Sequence, residues 1–288
     1  MSDTLNRDVA AVLEAEGLRV VRVRRVSTIR AAAHRRSAYR IDLETGETIK
    51  ARRLEDADTA RRLFEARRDL PDAFVPAFLC RGPVLLERWV EGRLLGNGQP
   101  HDERLHEAGL LLAGVHAATA VAGQPVRHRE RTAPWRDEAE HGLGLLVAAG
   151  GLEEPAARSL RGMLARHDPG LATIGLTHVD FCGENMLIDH TGRLRVFDND
   201  RVGVGPLGFD LARSWYRWAL AAPAWARVEK AYEGEASSAE ALDALGFWGP
   251  VAVVKSAIFR LRIDPALARG PLDRLRLIAA AAGGGGPL

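Results

Sequence analysis

Three oxygen-bearing side chains stand at a suggestive spacing between residues 177 and 200. Asp180 and Asn185 have four residues between them, and Asp198 follows a short hairpin that turns at 189–192. Transfer of a phosphoryl group from a nucleotide needs such a set: one carboxylate orients the acceptor hydroxyl and takes its proton, while an amide oxygen and a second carboxylate hold Mg²⁺. An Asp-Asn-Asp set in loops is also ordinary turn chemistry, so the trio alone leaves both interpretations open.

The elements that must position this trio differ between the two parts of the chain. Residues 18–54 form short β-like runs separated by turns, and residues 56–70 have the period of a helix. An apolar strand, PVLLERWVEG, comes next, and most of the sequence after residue 100 has helical periodicity interrupted by the hairpin. We therefore predict an α+β fold with two lobes: a small β-rich lobe over 1–90 and a larger, mainly helical lobe over 91–288.

Composition and charge limit the class of protein. The 288 residues are 47% hydrophobic and 27% charged, with a net charge of +2, which are ordinary values for a soluble globular protein. Cys80 and Cys182 form neither a CxxC pair nor a disulfide framework, which favours a reducing compartment. The first residues lack a signal-peptide pattern, and no apolar run reaches the roughly 18–20 residues of a membrane span. We expect a cytoplasmic protein, monomeric or homodimeric, without nucleic-acid or membrane partners.

Three motifs in the second part of the chain together resemble those of a known family. They are HVDFCGEN (178–185), VFDND (196–200) and FDLAR (209–213). Their order and spacing resemble the motifs of the aminoglycoside phosphotransferase and choline kinase-like family, which has the bilobal protein-kinase-like fold. The resemblance extends over nearly the whole chain in the order of its lobes and is most specific in these motifs. It implies a kinase that uses ATP and Mg²⁺ and acts on a small molecule.

The resemblance also implies roles for residues of these motifs. Asp180 would be the catalytic base or the group that orients the acceptor hydroxyl, and Asn185 and Asp198 would be the Mg²⁺ ligands. Asp210 resembles the structural aspartate that braces the catalytic loop. His178 is expected to hold that loop through hydrogen bonds to the backbone.

The run ETIKARRL places a lysine in a strand of the first part. Lys50, Lys230 and Lys255 are the only lysines, so a lysine at this position suggests that a compact ammonium group is needed beside phosphates. Arg52 faces the same side by the period of two and is the alternative. Lys50 resembles the family's β3 lysine. Glu65, on the helix that follows, resembles that lysine's glutamate partner, with a solvated helix charge as the alternative.

The segment LLERWVEG resembles the hinge that joins the family's two lobes. The resemblance implies that the adenine of ATP pairs with backbone groups there, namely the Arg88 carbonyl and the Val90 amide. The expected cofactors are therefore ATP and Mg²⁺, with Lys50, Glu65, Arg88 and Val90 binding the nucleotide.

A few positions depart from the family pattern or fit it in two ways. IRAAAHRRSAY, where a phosphate-covering loop is expected, has no glycine, so Ser37 and nearby amides would have to cover the phosphates. Val179 stands where the family has Gly, and Cys182 stands where a His or Trp is common. Val179 can alter the fit of the acceptor without removing a reacting group. Asp200 is either a third metal contact or a solvated turn residue.

The acceptor is the least defined partner. The run WYRWALAAPAW and the segment after it supply aromatic and acidic residues: Trp215, Tyr216, Trp218, Trp225, Glu233 and Glu235. They could receive an amine-bearing alcohol through cation–π contacts and charge pairing, or the aromatic residues could pack in the core. A polycationic aminoglycoside would require a markedly acidic pocket, and no dense acidic cluster is evident.

The sequence thus predicts ATP-dependent O-phosphorylation of a small hydroxylated molecule, such as an aminoglycoside-like antibiotic, an amino alcohol or another metabolite. The alternative is a catalytically inactive nucleotide-binding or regulatory module with the same fold. The missing Gly-rich loop favours the module, whereas Asp180, Asn185, Asp198 and Lys50 favour the enzyme.

Overall fold

The computed structural model describes residues 5–26, 37–68, 70–96, 102–121, 123–234 and 239–284. The chain divides into two compact units. The first comprises Met1–Leu95, Ala120–Gln124 and Asn185–Gly203, and the second comprises Gly96–Thr119, Pro125–Glu184 and Val204–Leu288. The predicted hairpin therefore belongs to the same unit as the N-terminal strands. A lobe boundary at residue 90 stays a prediction.

A five-stranded antiparallel sheet forms the centre of the first unit. Its strands are Val20–Arg25 (β1), Ser37–Leu43 (β2), Thr48–Arg53 (β3), Ala77–Arg81 (β4) and Val84–Arg88 (β5). They lie in the order β1-β2-β3-β5-β4. Their inward apolar residues pack with Val9 and Leu13 of helix α1 (Arg7–Ala15) into one buried cluster. Alternation along each strand leaves the opposite face free to carry polar groups.

Helix α2, Ala57–Arg68, follows β3. Asp56 precedes it, and its carboxylate accepts hydrogen bonds from the Thr59 amide and hydroxyl, as expected for a helix N-terminus. The buried residues of α2 follow helical spacing: Ala60, Leu63, Ala66 and Arg67. A buried arginine requires partners, and these lie in the candidate site.

The predicted hairpin consists of β11 (Met186–Asp189) and β12 (Leu194–Val196), and β11 also pairs with β6 (Gly92–Leu94). Asp189 holds the turn, because its carboxylate accepts hydrogen bonds from the amides of Thr191 and Arg193. Sequence and structure agree on this turn.

The second unit is mainly helical. Its helices are Asp102–Ala117 (α3), Ala133–Ala148 (α4), Glu154–His167 (α5), Leu207–Trp218 (α6), Ala222–Glu233 (α7), Ala239–Asp243 (α8), Leu245–Ile263 (α9) and Arg269–Gly284 (α10). Gly183–Asn185 and Pro265–Ala268 are 3₁₀ turns. His128–Arg131 (β9), Leu171–Thr177 (β10) and Gly203–Pro206 (β13) form a sheet in the order β13-β10-β9. Ala120–Val121 (β7) and Gln124–Pro125 (β8) pair with each other.

The core of the second unit is built from facing helices. It includes Leu143 and Leu146 of α4, Leu160 and Leu164 of α5, Trp248 and Val251 of α9, and Leu275 of α10. The α6 helix ends at Trp218, the next residue, Ala219, has a left-handed φ of 50°, and α7 carries Pro223 in its first turn. This explains why the helical pattern is broken between these two helices.

The predicted α+β, protein-kinase-like fold class is confirmed by the strand-rich first unit, the helical second unit and the structural comparisons given below. Within the described ranges, no helix is both long enough and apolar enough to cross a membrane.

Candidate active site

Strand β3 carries two cations on one face. Ile49 and Ala51 are buried toward the core, so Lys50 and Arg52 lie on the opposite face, as the strand period requires. Glu87 of β5 stands opposite Lys50 in the strand register. The first unit gathers six charged residues around this face, which we call the β3 cluster: Lys50, Arg52, Arg67, Glu87, Asp198 and Asp200.

Lys50 pairs with carboxylates of a strand and of the hairpin segment. Its Nζ lies 3.5 Å from Glu87 Oε2 and 4.0 Å from Asp198 Oδ1. Within the described residues, the expected pair of Lys50 with Glu65 is not formed. Glu65 instead acts on Cys80, where burial first and this carboxylate second raise the pKa of the thiol. The expected strand–helix ion pair is therefore replaced by a strand–strand pair.

Helix α2 supplies an arginine to the cluster. The Arg67 side chain is 2% exposed, and its guanidinium forms a short ion pair with Glu87. Its Nη2 lies 3.0 Å from Asp200 Oδ1, and its Nε donates to the Asn199 carbonyl at 3.1 Å. Sequence reasoning assigned no role to this residue or to Glu87. The available signal was a basic residue in the inward stripe of an amphipathic helix.

Arg52 binds the carboxylates that follow the hairpin. Its Nη2 lies 2.9 Å from Asp198 Oδ1 and forms a second, shorter ion pair with Asp200. Its buried Nη1 has no hydrogen-bond partner in the part of the chain that the structure describes. Both residues between which the sequence left a choice, Lys50 and Arg52, thus enter the β3 cluster.

The charges of the cluster stabilise one another. Burial alone would raise the pKa of Glu87, but Arg67, followed by Lys50 and Arg52, outweighs burial and lowers it to about 2. Burial would likewise raise the pKa of Asp198, and the neighbouring Arg52 and Lys50 lower it below its ordinary value. Both carboxylates are therefore ionised at neutral pH.

Asn185 and Asp198 lie at adjoining points of the hairpin. The Asn185 carbonyl accepts a hydrogen bond from the Phe197 amide at 2.9 Å. Asp198 has a left-handed φ of 59° and a side chain that is 41% exposed. Its Oδ1 holds Arg52, and no contact of its Oδ2 is found among the described residues, so an ionised oxygen is available. An amide oxygen and a carboxylate oxygen are hard ligands of the types that Mg²⁺ prefers.

Asp200 is not a solvated turn residue, because its side chain is largely buried and ion-paired. Its side chain is 15% exposed, with one oxygen on Arg67 and the other on Arg52. The described residues contain no ready cluster of three His, Cys, Asp or Glu side chains for a metal ion, and the Asn–Asp pair is outside that class.

In the second unit, Asp210 of α6 braces the loop that carries Asp180. Its buried carboxylate accepts hydrogen bonds from the amides of His178 and Val179, both at 2.6 Å. His116 Nε2 lies 3.0 Å from the same carboxylate, and its Nδ1 lies 2.5 Å from the Tyr232 hydroxyl. The expected structural role of Asp210 is thus seen directly. His178 Nδ1 also accepts a long, 3.4 Å hydrogen bond from the Asp180 amide.

Val179 explains why the related motif has a glycine at this position. Its φ is 64°, a left-handed conformation that a β-branched residue adopts only under strain. The strain is offset by fixed backbone partners, since the Val179 amide donates to Asp210 and its carbonyl accepts from Arg213 Nε at 3.2 Å. The loop therefore keeps its shape without the glycine.

Asp180 itself is 9% exposed and faces two arginines of α6. Its Oδ1 lies 3.1 Å from Arg217 Nε and 3.5 Å from Arg213 Nη2. Arg217 Nη2 also lies 3.1 Å from Glu184 Oε2. The sequence indicates these partners only through an arginine pair four residues apart in one helix.

Cys182 is a buried, neutral thiol. Burial first, and the nearby Asp180 second, raise its pKa to about 11. Since the thiolate is the nucleophilic form, this cysteine packs as a small apolar residue.

Gly183 fits only because it lacks a side chain. The amide of Gly96 donates to the Gly183 carbonyl at 3.0 Å, and a Cβ on Gly183 would overlap the Gly96 carbonyl and lie 2.7 Å from Trp218 Nε1. We predict that Gly183→Ala lowers the free energy of unfolding by more than about 2 kcal/mol, because neither backbone segment can move without breaking this hydrogen bond.

Chemical denaturation would measure this effect, with Gly162→Ala as the matched control. Gly162 lies within α5, and a Cβ there meets no atom within 4 Å. The control is expected to be neutral or to stabilise by about 0.5–1 kcal/mol, since alanine is the better helix former. Equal unfolding free energies for Gly183→Ala and the wild type would contradict the close approach described here.

The aromatic residues near the end of α6 mostly serve the core. Trp218 is fully buried and Trp225 is 5% exposed. The Trp215 ring is covered by Arg274, whose guanidinium carbon lies 4.1 Å from the ring centroid. This supports core packing over an aromatic acceptor site. Glu235 lies outside the described residues.

The remaining expected nucleotide contacts are only partly described. Arg88 ends β5 with an exposed side chain, and Val90 follows it at intermediate exposure. Of the segment expected to cover the phosphates (29–39), residues 29–36 and the side chain of Ser37 lie outside the described residues, and residues 37–39 begin β2.

Comparisons with solved structures identify the fold. The choline kinase from Streptococcus pneumoniae aligns with a TM-score of 0.65 at 13% identity, over 96% of this chain and 100% of that one. A macrolide 2'-phosphotransferase from Brachybacterium faecium aligns at 0.64 and 16% identity, over 96% and 98%. A putative fructosamine-3-kinase from Thermobifida fusca aligns at 0.60 and 21% identity, over 97% and 99%. At these identities the likeness establishes the fold that this chain shares with small-molecule kinases.

The family follows from the sequence. The sequence model of the phosphotransferase enzyme family matches residues 7–248, and the chain belongs to that family. The search of curated proteins gave no significant match. The predicted family and the predicted enzyme class, a phosphotransferase, are thereby confirmed.

Proposed function

We propose that this protein transfers the terminal phosphoryl group of ATP to a hydroxyl of a small molecule, with Mg²⁺. The observation that carries the proposal is the loop of Asp180, which buried Asp210 holds through two amide hydrogen bonds of 2.6 Å. A rigid carboxylate of this kind suits a reaction in which the protein mainly positions the reactants.

The roles proposed for the chain's own residues follow from the charges described above. Asp180 accepts a hydrogen bond from the acceptor hydroxyl and takes its proton. Lys50 and Arg52 donate to phosphate oxygens, Arg52 through Nη1, which has no hydrogen-bond partner among the described residues, and Glu87 holds both cations in place. The Arg88 carbonyl and the Val90 amide bind adenine.

Asn185 and Asp198 would hold Mg²⁺, which when bound neutralises negative charge on the phosphates. We assign nucleotide binding to a lobe of residues 1–90 together with the hairpin, and catalysis and acceptor binding to the rest of 91–288. Glu65, being away from Lys50, is given no direct part in holding that cation.

The proposal for the acceptor class comes from the substrates for which the structurally similar proteins are named. The aligned structures are named for a macrolide, choline and fructosamine as substrates, which are chemically diverse hydroxylated molecules. Their common feature is a hydroxyl that can accept a phosphoryl group. We propose that the acceptor of this chain is likewise a small hydroxylated metabolite or antibiotic.

The function is tested by ADP release from ATP over a panel of alcohols, aminoglycosides and macrolides. We expect acceptor-dependent release that requires Mg²⁺, is abolished by EDTA and returns when Mg²⁺ is added in excess. Mass spectrometry should find a product heavier than the acceptor by one phosphoryl group. Acceptor-dependent release that persists undiminished in EDTA would contradict the proposed metal dependence.

An inactive nucleotide-binding module is the second candidate, favoured by the ion pairs that Arg52 makes with Asp198 and Asp200. A cation on the proposed metal ligand could replace Mg²⁺. The module would bind ATP with equal affinity with and without Mg²⁺ and would release no ADP with any acceptor. The enzyme would bind ATP more tightly with Mg²⁺.

A further inference from the structure

Helix α6 presents two arginines to the proposed catalytic carboxylate, and these charges bear on the acceptor. Arg217 Nε lies 3.1 Å from Asp180 Oδ1, and Arg213 Nη2 lies 3.5 Å from the same oxygen. The two arginines are four residues apart, so they stand one above the other on the same face of the helix.

The two arginines differ in what else they touch. The Arg213 side chain is 9% exposed and also donates from Nε to the Val179 carbonyl, which makes it a support of the loop. The Arg217 side chain is 16% exposed, and its second partner, Glu184, is 51% exposed. Arg217 therefore lies on the more accessible side of Asp180, where an incoming acceptor can reach it.

Within these ion pairs of the described residues the charges are equal in number. Asp180 and Glu184 contribute two negative charges, and Arg213 and Arg217 contribute two positive charges. A carboxylate that would otherwise attract an ammonium group is thus already paired with guanidinium groups. Burial would lower the pKa of Arg217, but Asp180 first, with other neighbours, raises it, so the guanidinium keeps its charge.

A guanidinium group attracts an alcohol that carries a carboxylate, a phosphate or further hydroxyls, and it repels an alcohol that carries an ammonium group. It donates in a planar fork to carboxylate, phosphate and hydroxyl oxygens, and it repels an ammonium group placed beside it. Arg217 contacts Asp180 through Nε and Glu184 through Nη2. Glu184 is exposed enough to yield its place to an oxygen of the acceptor.

We propose that Arg217 sets the acceptor class: it donates to an oxygen of a neutral or anionic alcohol and disfavours alcohols with an ammonium group beside the reacting hydroxyl. The inference rests on the proposed function in that Asp180 must face the acceptor. It favours sugars, polyols and hydroxy acids as acceptors over amino alcohols and aminoglycosides.

Equilibrium binding tests the inference without requiring turnover. Two sets each contain a neutral, an ammonium and a carboxylate member: glucose, glucosamine and glucuronate, and ethylene glycol, ethanolamine and glycolate. Calorimetric titration into wild type at neutral pH, with Mg²⁺ and a non-hydrolysable ATP analogue, is expected to give about tenfold tighter binding for the anionic than for the ammonium member of at least one set. Equal affinities, tighter binding of the ammonium members, or no measurable binding of any member would overturn it.

Variants of Arg217 separate charge from geometry. Arg217→Gln is expected to reduce the anion-to-ammonium ratio about tenfold, whereas Arg217→Lys keeps the charge and should retain most of the ratio while weakening the anionic member. Arg166→Gln removes an exposed arginine of α5 and is expected to leave the ratio unchanged. Thermal unfolding checks that each variant is folded. An unchanged ratio in Arg217→Gln would overturn the assignment.

The two proposals can fail separately. If the anionic or neutral members bind selectively but no alcohol is phosphorylated, the proposed enzymatic function fails and the role of Arg217 in binding stands. If ammonium-bearing alcohols alone are phosphorylated, the function stands and the inference about Arg217 fails.

Discussion

Replacing Asp180 with Asn is expected to reduce turnover about 10²- to 10⁴-fold, the usual effect of removing a positioned general base. An amide has nearly the same shape, and its oxygen can still accept from Arg217 Nε, which now lies 3.1 Å from the carboxylate. The loop is held independently by Asp210 through the amides of His178 and Val179. The loss should therefore come from chemistry rather than from unfolding.

The kinetic pattern distinguishes this explanation from a general loss of structure. The Michaelis constant for ATP should change less than about threefold, because Asp180 is proposed to act on the acceptor hydroxyl, whereas the proposed nucleotide contacts are made by Lys50, Arg52, Arg88 and Val90. Asp137→Asn, an exposed position of α4, is the matched control and should retain wild-type turnover. Single-turnover assays with the best acceptor of the panel would measure the effect. An Asp180→Asn enzyme with more than a tenth of wild-type activity would remove Asp180 from the mechanism.

The three motifs between residues 178 and 213 were largely predictable because each depends on contacts between residues close in sequence. The spacing from His178 to Asn185, the hairpin turn at Asp189 and the first turns of α6, which contain FDLAR, each reflect backbone geometry within a few residues. The bracing contact of Asp210 with the loop is long-range in sequence, and it was found through the family resemblance. Periodicity alone would have left Asp210 as an ordinary helix residue.

The charged partners in the first unit were less predictable because they depend on strand register. Opposition of Lys50 and Glu87 follows from the pairing of β3 with β5, which neither strand specifies alone. Glu65 was chosen from its place on the helix after β3, yet the helical phase turns Arg67 inward instead. A two-residue difference along a helix is about 200° of rotation, so small errors of phase exchange the inward and outward residues.

Charge balance along the sequence favours Glu87 over Glu65 as the partner of Lys50. A lysine and an arginine on one face of β3 need carboxylate partners, and PVLLERWV contains one acidic residue, Glu87, which is buried in β5. The same reasoning applied to Asp180 would have sought basic residues on α6. In both cases a buried charge requires a partner of opposite sign, and this requirement indicates which residue the partner is.

Breaking the buried pair of Arg67 and Glu87 is expected to have the largest effect on stability. Arg67→Met keeps the length and apolar stem of the side chain but leaves Glu87 and Asp200 short of a cation, and should lower the free energy of unfolding by about 3–5 kcal/mol. Arg61→Met, at an exposed position of the same helix, is the control and should change it by less than about 1 kcal/mol. Denaturant titrations would measure both.

A double-mutant cycle shows whether the pair itself is responsible. Glu87→Gln alone removes the shared partner of Arg67, Lys50 and Arg52, and should also destabilise the protein by several kcal/mol, on the order of 3. Because the second substitution removes a charge already left without its partner, the double variant should lose at least about 1 kcal/mol less than the sum of the two single effects. Additive losses would mean that the two residues act independently.

The pH dependence of unfolding gives a second measure of the same interaction. The pKa of Glu87 is lowered from its ordinary 4.5 to about 2 in the folded protein. The ionised Glu87 of the β3 cluster therefore makes its full contribution to the free energy of unfolding above about pH 4.5. This contribution is lost as the pH falls toward 2, because the carboxyl group of the unfolded chain takes up a proton first. Glu87→Gln has no carboxyl group to titrate there, so its unfolding free energy should fall less steeply between pH 4.5 and 2 than that of the wild type. Parallel curves would show that Glu87 is not held as an ion by Arg67.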